Sequence, residues 1–141
     1  MSMTEWDVVP GAWDEAGERR RERTPPHNLL AEQSALGGML LSTDAVADVL
    51  EVVVGADFYV PKHEVIFNAI LSLYSKGEPT DAIAVGDELV RAGDVQRAGG
   101  ESYLHTLTNI VPTAANAGYY ASIVAEQAVL RRLVEAGTHI A

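Results

Sequence analysis

His63-Glu64 is the one place in this chain where neighbouring side chains begin a recognised metal signature. In the helical zinc motif two histidines stand four residues apart, and the glutamate after the first one activates water. The second histidine would have to occupy position 67, which holds Phe67. His27, His105 and His139 have no carboxylate or histidine partner at a regular ligand spacing, so each reads as a capping or hydrogen-bonding residue. Cysteine is absent, which excludes disulfides and thiolate catalysis. The glycine pairs Gly37-Gly38 and Gly99-Gly100 are not followed by Lys-Ser/Thr, so neither can act as a phosphate loop. Ser34, Ser42, Ser72, Ser75, Ser102 and Ser122 lack the flanking glycines of a nucleophile elbow. No catalytic residue, cofactor site or metal site is expected. The residues point to an interaction module.

With 141 residues, 48% of them hydrophobic, the chain can bury one core and still carry a tail. No apolar run approaches the ~20 residues that span a bilayer. Met1–Pro10 is acidic and has no continuous apolar segment, so no secretory signal is read there and a cytoplasmic protein is expected. Twenty acidic side chains face ten basic ones. Four of the arginines lie in Arg19–Arg23, which leaves 14 acidic against 6 basic residues from Asn28 onward. Affinity for nucleic acid rests largely on cations that neutralise phosphates. A domain of net charge near −8 (6 minus 14) is not expected to grip DNA or RNA directly.

Residues 1–26 read as a flexible tail broken by Pro10, Gly11, Gly17, Pro25 and Pro26. Glutamates interleave Arg19–Arg23, so this run reads as a solvated mixed-charge segment. Trp6 and Trp13 touch the domain surface or a partner, or stand in water; the sequence leaves all three open. Residues 27–112 then show five helical segments. The first runs from Leu29 to about Leu41 after Asn28 as cap, with Leu29, Leu36 and Leu40 facing one way. Gly37-Gly38 inside it costs roughly 1 kcal/mol per glycine against alanine, which implies a closely packed neighbour. The second starts at Thr43-Asp44 and carries Val46, Val49, Leu50, Val53 and Val54, with Gly55 as a left-handed terminator. The third begins near Pro61 with Ile66–Ile70–Leu73 and Phe67–Leu71–Tyr74 as two apolar faces. The fourth uses Val85, Leu89 and Val90 and stops at Gly93. The fifth follows Gly99-Gly100 with Tyr103, Leu104, Leu107 and Ile110 inward.

The last segment, residues 113–141, holds the strongest signal. Thr113 can cap a helix that then runs without a stop. Most of its apolar residues form two adjacent stripes, Tyr119–Ile123–Leu130–Leu133 and Tyr120–Val124–Val134, the second with the polar Gln127 in line. Burying one Leu or Ile is worth roughly 1.5–3 kcal/mol, so a face too wide for its own globule demands a partner. Which stripe points inward is open. The expected fold is all-α, a compact bundle of about six helices with the last one projecting.

Beyond these features, Pro25-Pro26-His27-Asn28-Leu29-Leu30-Ala31-Glu32-Gln33-Ser34-Ala35-Leu36-Gly37 resembles the start of the N-terminal domain of the bacterial replicative DNA helicase, DnaB. The likeness continues in order through Asp57-Phe58-Tyr59, His63 with Ile66-Phe67, Gly99-Gly100 with Tyr103-Leu104, Val111-Pro112-Thr113-Ala114-Ala115-Asn116 and Tyr120-Ala121, then Ile123-Val124 with Glu126, to Arg131-Arg132. It covers Pro25 to Ala141 and leaves out the tail. The resemblance implies a helical globule followed by a hairpin whose first helix is residues 113–141. Hairpins of two subunits pair, and three such dimers form a collar above hexameric ATPase motors. The collar receives the C-terminal domain of primase, and a loader protein is a further implied partner. ATP and Mg would belong to a motor domain absent from this sequence. Tyr120, Ile123, Val124, Gln127, Leu130, Leu133 and Val134 are the candidate self-association residues, and Tyr103 is a candidate partner contact. Two other readings remain, a module touching fork DNA directly and a stand-alone helical adaptor.

Overall fold

The computed structural model describes residues 24–140, where six α-helices and two 3-10 turns form and no strand does. Trp6, Trp13 and the Arg19–Arg23 run lie outside the described residues. The helices are α1 (Leu29–Leu41), α2 (Thr43–Leu50), α3 (Pro61–Ser75), α4 (Ala82–Ala92), α5 (Glu101–Ile110) and α6 (Ala117–Ile140). Short polar side chains start several of them by accepting from otherwise unpaired first-turn amides. The Asn28 side-chain Oδ1 takes Ala31 N–H at 2.9 Å, and the Asp81 carboxylate takes Ala84 N–H at 2.9 Å. Pro61 occupies the first turn of α3, where its missing amide does no harm. Gly93 closes α4 in the left-handed conformation at φ 76°, as the sequence implies.

α1 is the axis of the bundle. It packs against α2, α3, α5 and α6, and from Ala31 to Leu40 only Gln33 escapes full burial. Gly37 and Gly38 are where its neighbours come closest. A Cβ on Gly37 would collide with the backbone carbonyl oxygen of Leu107 in α5, and one on Gly38 would stand 2.8 Å from the Cβ of Ala117 in α6. The helix tolerates two poor helix formers because backbone-to-backbone packing needs the room.

Several sequence expectations are corrected. α2 ends at Leu50 rather than at Gly55, and Val53 turns inward while Val52 and Val54 are exposed. Gly55 is not left-handed; it opens a 3-10 turn (Gly55–Asp57) in which the Asp57 carboxylate accepts from Val54 N–H at 3.0 Å. Its missing side chain serves close approach, since a Cβ there would lie 2.7 Å from Asn68 Oδ1. Thr113 caps a second 3-10 turn (Ala114–Asn116), accepting from Ala115 N–H, and α6 starts only after it. Leu29 and Leu71 are exposed instead of facing the core. In α1 the buried face runs through Ala31, Glu32, Ala35, Leu36 and Met39, which leaves Leu29 outside it.

Gly37→Ala gains helix propensity but meets an immovable carbonyl, so we expect a loss of about 1–3 kcal/mol, the usual cost of overpacking. Gly118→Ala, whose new Cβ would sit at an ordinary 3.5 Å from Asp48, should instead be neutral or stabilise by up to ~1 kcal/mol. Thermal unfolding of both variants checks the pair.

Candidate functional site

α6 divides its faces by size. Ala117, Ala121, Val124 and Ala128, spaced four, three and four residues apart, are 2% exposed or less and lie against the core. The large apolar residues point elsewhere. Tyr119 is 66% exposed, Leu130 44%, Leu133 62% and Val134 53%. Tyr120, Ile123 and Gln127 are half-buried along the border. Tyr119, Leu130 and Leu133 of the first stripe are thus exposed while its Ile123 is half-buried, and of the second stripe Val134 is exposed past the globule. Val124 is a correction. It belongs to the monomer's own core, because it shares the inward face with Ala121 and Ala128. Tyr119 is the residue missing from the expected set, although the stripe periodicity already contains it.

Beyond Ala128 no described side chain of α6 is buried through Gly137, so the helix leaves the globule there. Two arginines tie down the point of departure. Arg131 donates through Nη1 to the Pro26 carbonyl at 2.8 Å and through Nη2 to the Asp57 carbonyl. Its guanidinium also lies 5.4 Å from the Tyr59 ring, on which His27 stacks at 4.2 Å. Arg132 reaches the Asp57 carboxylate at 3.4 Å. The planar fork of arginine suits this task, since it can serve two carbonyls of different segments at once. The N-terminal approach, the 3-10 corner and the projecting helix are thereby clamped together.

Tyr103 sits at a second polar junction. Glu32, 1% exposed, accepts from the amides of Tyr59 (2.6 Å) and Val60 (3.3 Å) and from His63 Nδ1 (2.7 Å). His63 Nε2 meets the Tyr103 hydroxyl at 2.6 Å, and that hydroxyl also accepts from Gln33 Nε2 at 3.2 Å. α1, α3 and α5 are stitched by this chain, and it leaves no buried side-chain polar atom unpaired among the described residues. The Tyr103 hydroxyl thus faces the protein, and its ring carries the Lys62 ammonium at 3.8 Å. Only part of that ring is left for a partner. Burial raises the Tyr103 pKa above its ordinary value, and the nearby Glu32 charge adds to this while the Gln33 bond opposes it. Glu32 stands in the first turn of α1, and its role at this junction is not read from the sequence. The available signal was an acid on the same helical face as Leu36.

The DnaB-like helicase N terminal domain family matches residues 24–126. That span is well over half of the chain and includes the junction and most of the buried face of α6. The chain belongs to this family. It is 72% identical over 140 residues to a replicative DNA helicase DnaB of Leifsonia xyli, covering 99% of this chain and 30% of that protein. It is 64% identical over 118 residues to the DnaB of Mycobacterium leprae, covering 84% of this chain and 20% of the relative. The crystal structure of the N-terminal domain of DnaB helicase from Mycobacterium tuberculosis superposes with a TM-score of 0.81 at 64% identity, covering 83% of this chain and 81% of that one. The chain thus spans less than a third of the full-length relatives and corresponds to the N-terminal domain of replicative DNA helicases of the DnaB type. Among the described residues no group of three histidines and carboxylates could hold a metal ion, and no helix is long and apolar enough to cross a membrane.

The junction of this DnaB-type domain can be tested by its energetics. Glu32→Ala strips the acceptor from two amides and a histidine together and should cost about 3–5 kcal/mol, the range for breaking a buried charged contact. Tyr103 supplies a pH test. A raised folded pKa means its stabilising contribution is complete below the ordinary tyrosine value of about 10 and is lost as pH rises through the folded value. Chemical unfolding across alkaline pH should show that loss in the native protein and a flatter profile in Tyr103→Phe.

Proposed function

We propose that this chain is a non-catalytic assembly domain of a hexameric replicative DNA helicase. On this reading α6 is the first helix of a hairpin, residues 113–141, that pairs with the hairpin of a second copy. Three such pairs form a collar on the helicase, and the globule of residues 27–112 presents a docking surface for the C-terminal domain of primase, with a loader as a further partner. ATP and Mg act in a motor domain elsewhere in the full protein, and the work is done at the replication fork in the cytoplasm. The observation that carries the reading is the exposed stripe of Tyr119, Leu130 and Leu133 on a helix anchored at its base by its own alanines. Large apolar side chains held in water on a rigid helix are characteristic of a recognition face. The family membership supports the context, and the acidic charge of −10 favours protein partners over direct contact with DNA.

Leu130→Asp combined with Val134→Asp places two charges in that face without touching the buried one. Each lost side chain removes ~1.5–3 kcal/mol of burial, so the dimer dissociation constant should rise by at least about two orders of magnitude, with helicity retained. Sedimentation velocity measures it. An unchanged mass distribution would take these positions out of the interface.

A further inference from the structure

With a neutral His63, the protons of the Glu32 junction fit in only one way. Both oxygens of the Glu32 carboxylate accept backbone amides, Oε2 from Tyr59 at 2.6 Å and Oε1 from Val60 at 3.3 Å, so the group is ionised. Oε1 also accepts from His63 Nδ1 at 2.7 Å, which places a ring proton on that nitrogen. In a neutral imidazole the other nitrogen is then a bare acceptor. The Tyr103 hydroxyl, 2.6 Å from Nε2, donates to it and accepts in turn from Gln33 Nε2 at 3.2 Å. Gln33, Tyr103, His63 and Glu32 thus donate one to the next in a single direction. The chain begins at half-buried Gln33 and ends at side chains 0% and 1% exposed.

One added proton reverses the outer half of this chain. Both nitrogens of an imidazolium donate, so Nε2–H turns the Tyr103 oxygen into its acceptor. The Tyr103 O–H must then find a new acceptor, and it can rotate toward Gln33. A half-turn of the Gln33 amide offers Oε1 where Nε2 stood, so every polar group keeps a partner. The balance closes, because the protein gains one proton from solvent and loses none. Glu32 on α1 favours the charged ring, and Lys62 on α3, whose ammonium lies 3.8 Å from the Tyr103 ring centroid, opposes it. Tyr103 is the facing group from α5. Other nearby charges are engaged elsewhere, Arg131 of α6 with the Pro26 and Asp57 carbonyls, the Asp57 carboxylate with Val54 N–H, and Glu88 of α4 with Ser72 and Arg91.

We propose that Glu32, His63, Tyr103 and Gln33 form a proton-responsive switch, in which proton uptake by His63 turns the Gln33 amide end over end. Gln33 Oε1 is not among the buried unpaired atoms and so meets solvent while the ring is neutral. The surface beside Tyr103 therefore shows an acceptor when His63 is neutral and an NH2 donor when it is charged. A partner group meeting this surface is selected by pH, N–H or O–H donors in the first state and carbonyls or carboxylates in the second. The switch rests on the junction alone, independently of the assembly reading.

The test is nitrogen NMR of the 141-residue chain, following the His63 ring and the Gln33 side-chain amide from about pH 8 to about pH 5, the span in which imidazole changes charge. The expected ring proton at the alkaline end is on Nδ1 alone, and Gln33 signals move with the same midpoint as His63. In Tyr103→Phe, His63 still titrates while Gln33 stays silent. A proton on Nε2 at the alkaline end, a ring that takes up no second proton, or an equal Gln33 response in Tyr103→Phe would each overturn the switch. If that variant does not fold, the native protein decides. Cross-relaxation between the Gln33 NH2 protons and the Tyr103 ring edge should be present at the alkaline end and lost at the acid end, and its persistence counts against the proposal.

Discussion

The contact between α1 and α6 governs the rest of the structure. Gly38 meets Ala117 and Gly37 meets the Leu107 carbonyl, so three helices approach almost backbone to backbone. Such packing admits only small residues, and α6 supplies Ala117, Ala121 and Ala128 with Val124 among them. Once its small residues face inward, the fixed period of a helix leaves no choice for the large ones. Tyr119, Leu130 and Leu133 must project into solvent. An exposed apolar face is thus the direct consequence of a close-packed inner one. A helix docked through leucines would sit farther out and would not present the same stripe.

Two polar ties make that geometry rigid. The carboxylate of Glu32 satisfies the amides of Tyr59 and Val60 and a ring nitrogen of His63, fixing the start of α3 to α1. A few residues away, Arg131 and Arg132 fasten α6 to the Asp57 corner, and Arg131 also holds the approach at Pro26. Both ties converge on the short stretch from Asp57 to Val60, so the segment that carries no long helix is the keystone of the arrangement. A helix fixed to its globule at such a point holds its exposed apolar face already ordered, which would reduce the entropy lost on any association through it.

Much of this was legible from residue types. Asn28, Asp81, Gly93 and Pro61 mark helix ends by local chemistry alone, and the structure puts those ends where the signals stand. The glycine pair in α1 announced a close neighbour without naming it. What could not be read was any feature that depends on partners distant in sequence. Val53 and Val54 continue the helical period of α2, yet the chain turns at Glu51 and then buries only Val53. Gly55 looks like a left-handed cap, but its role is set by Asn68 thirteen residues later. Both stripes of α6 carry large apolar residues in sequence, and only the alanines around Val124 show that this residue faces the core. Glu32 joins Tyr59, Val60 and His63 across about thirty residues, a relation no local pattern encodes.

The account turns on whether the outward stripe of α6 is where copies meet. Because the chain has no cysteine, single cysteines introduced by Leu133→Cys and, as a control, Ile83→Cys give an unambiguous readout under mild oxidation. Ile83 is 79% exposed but lies on α4, away from the stripe. Rapid disulfide-linked dimer from Leu133→Cys, with little from Ile83→Cys, is the predicted result. Equal linking at both positions, or none at Leu133, would contradict it.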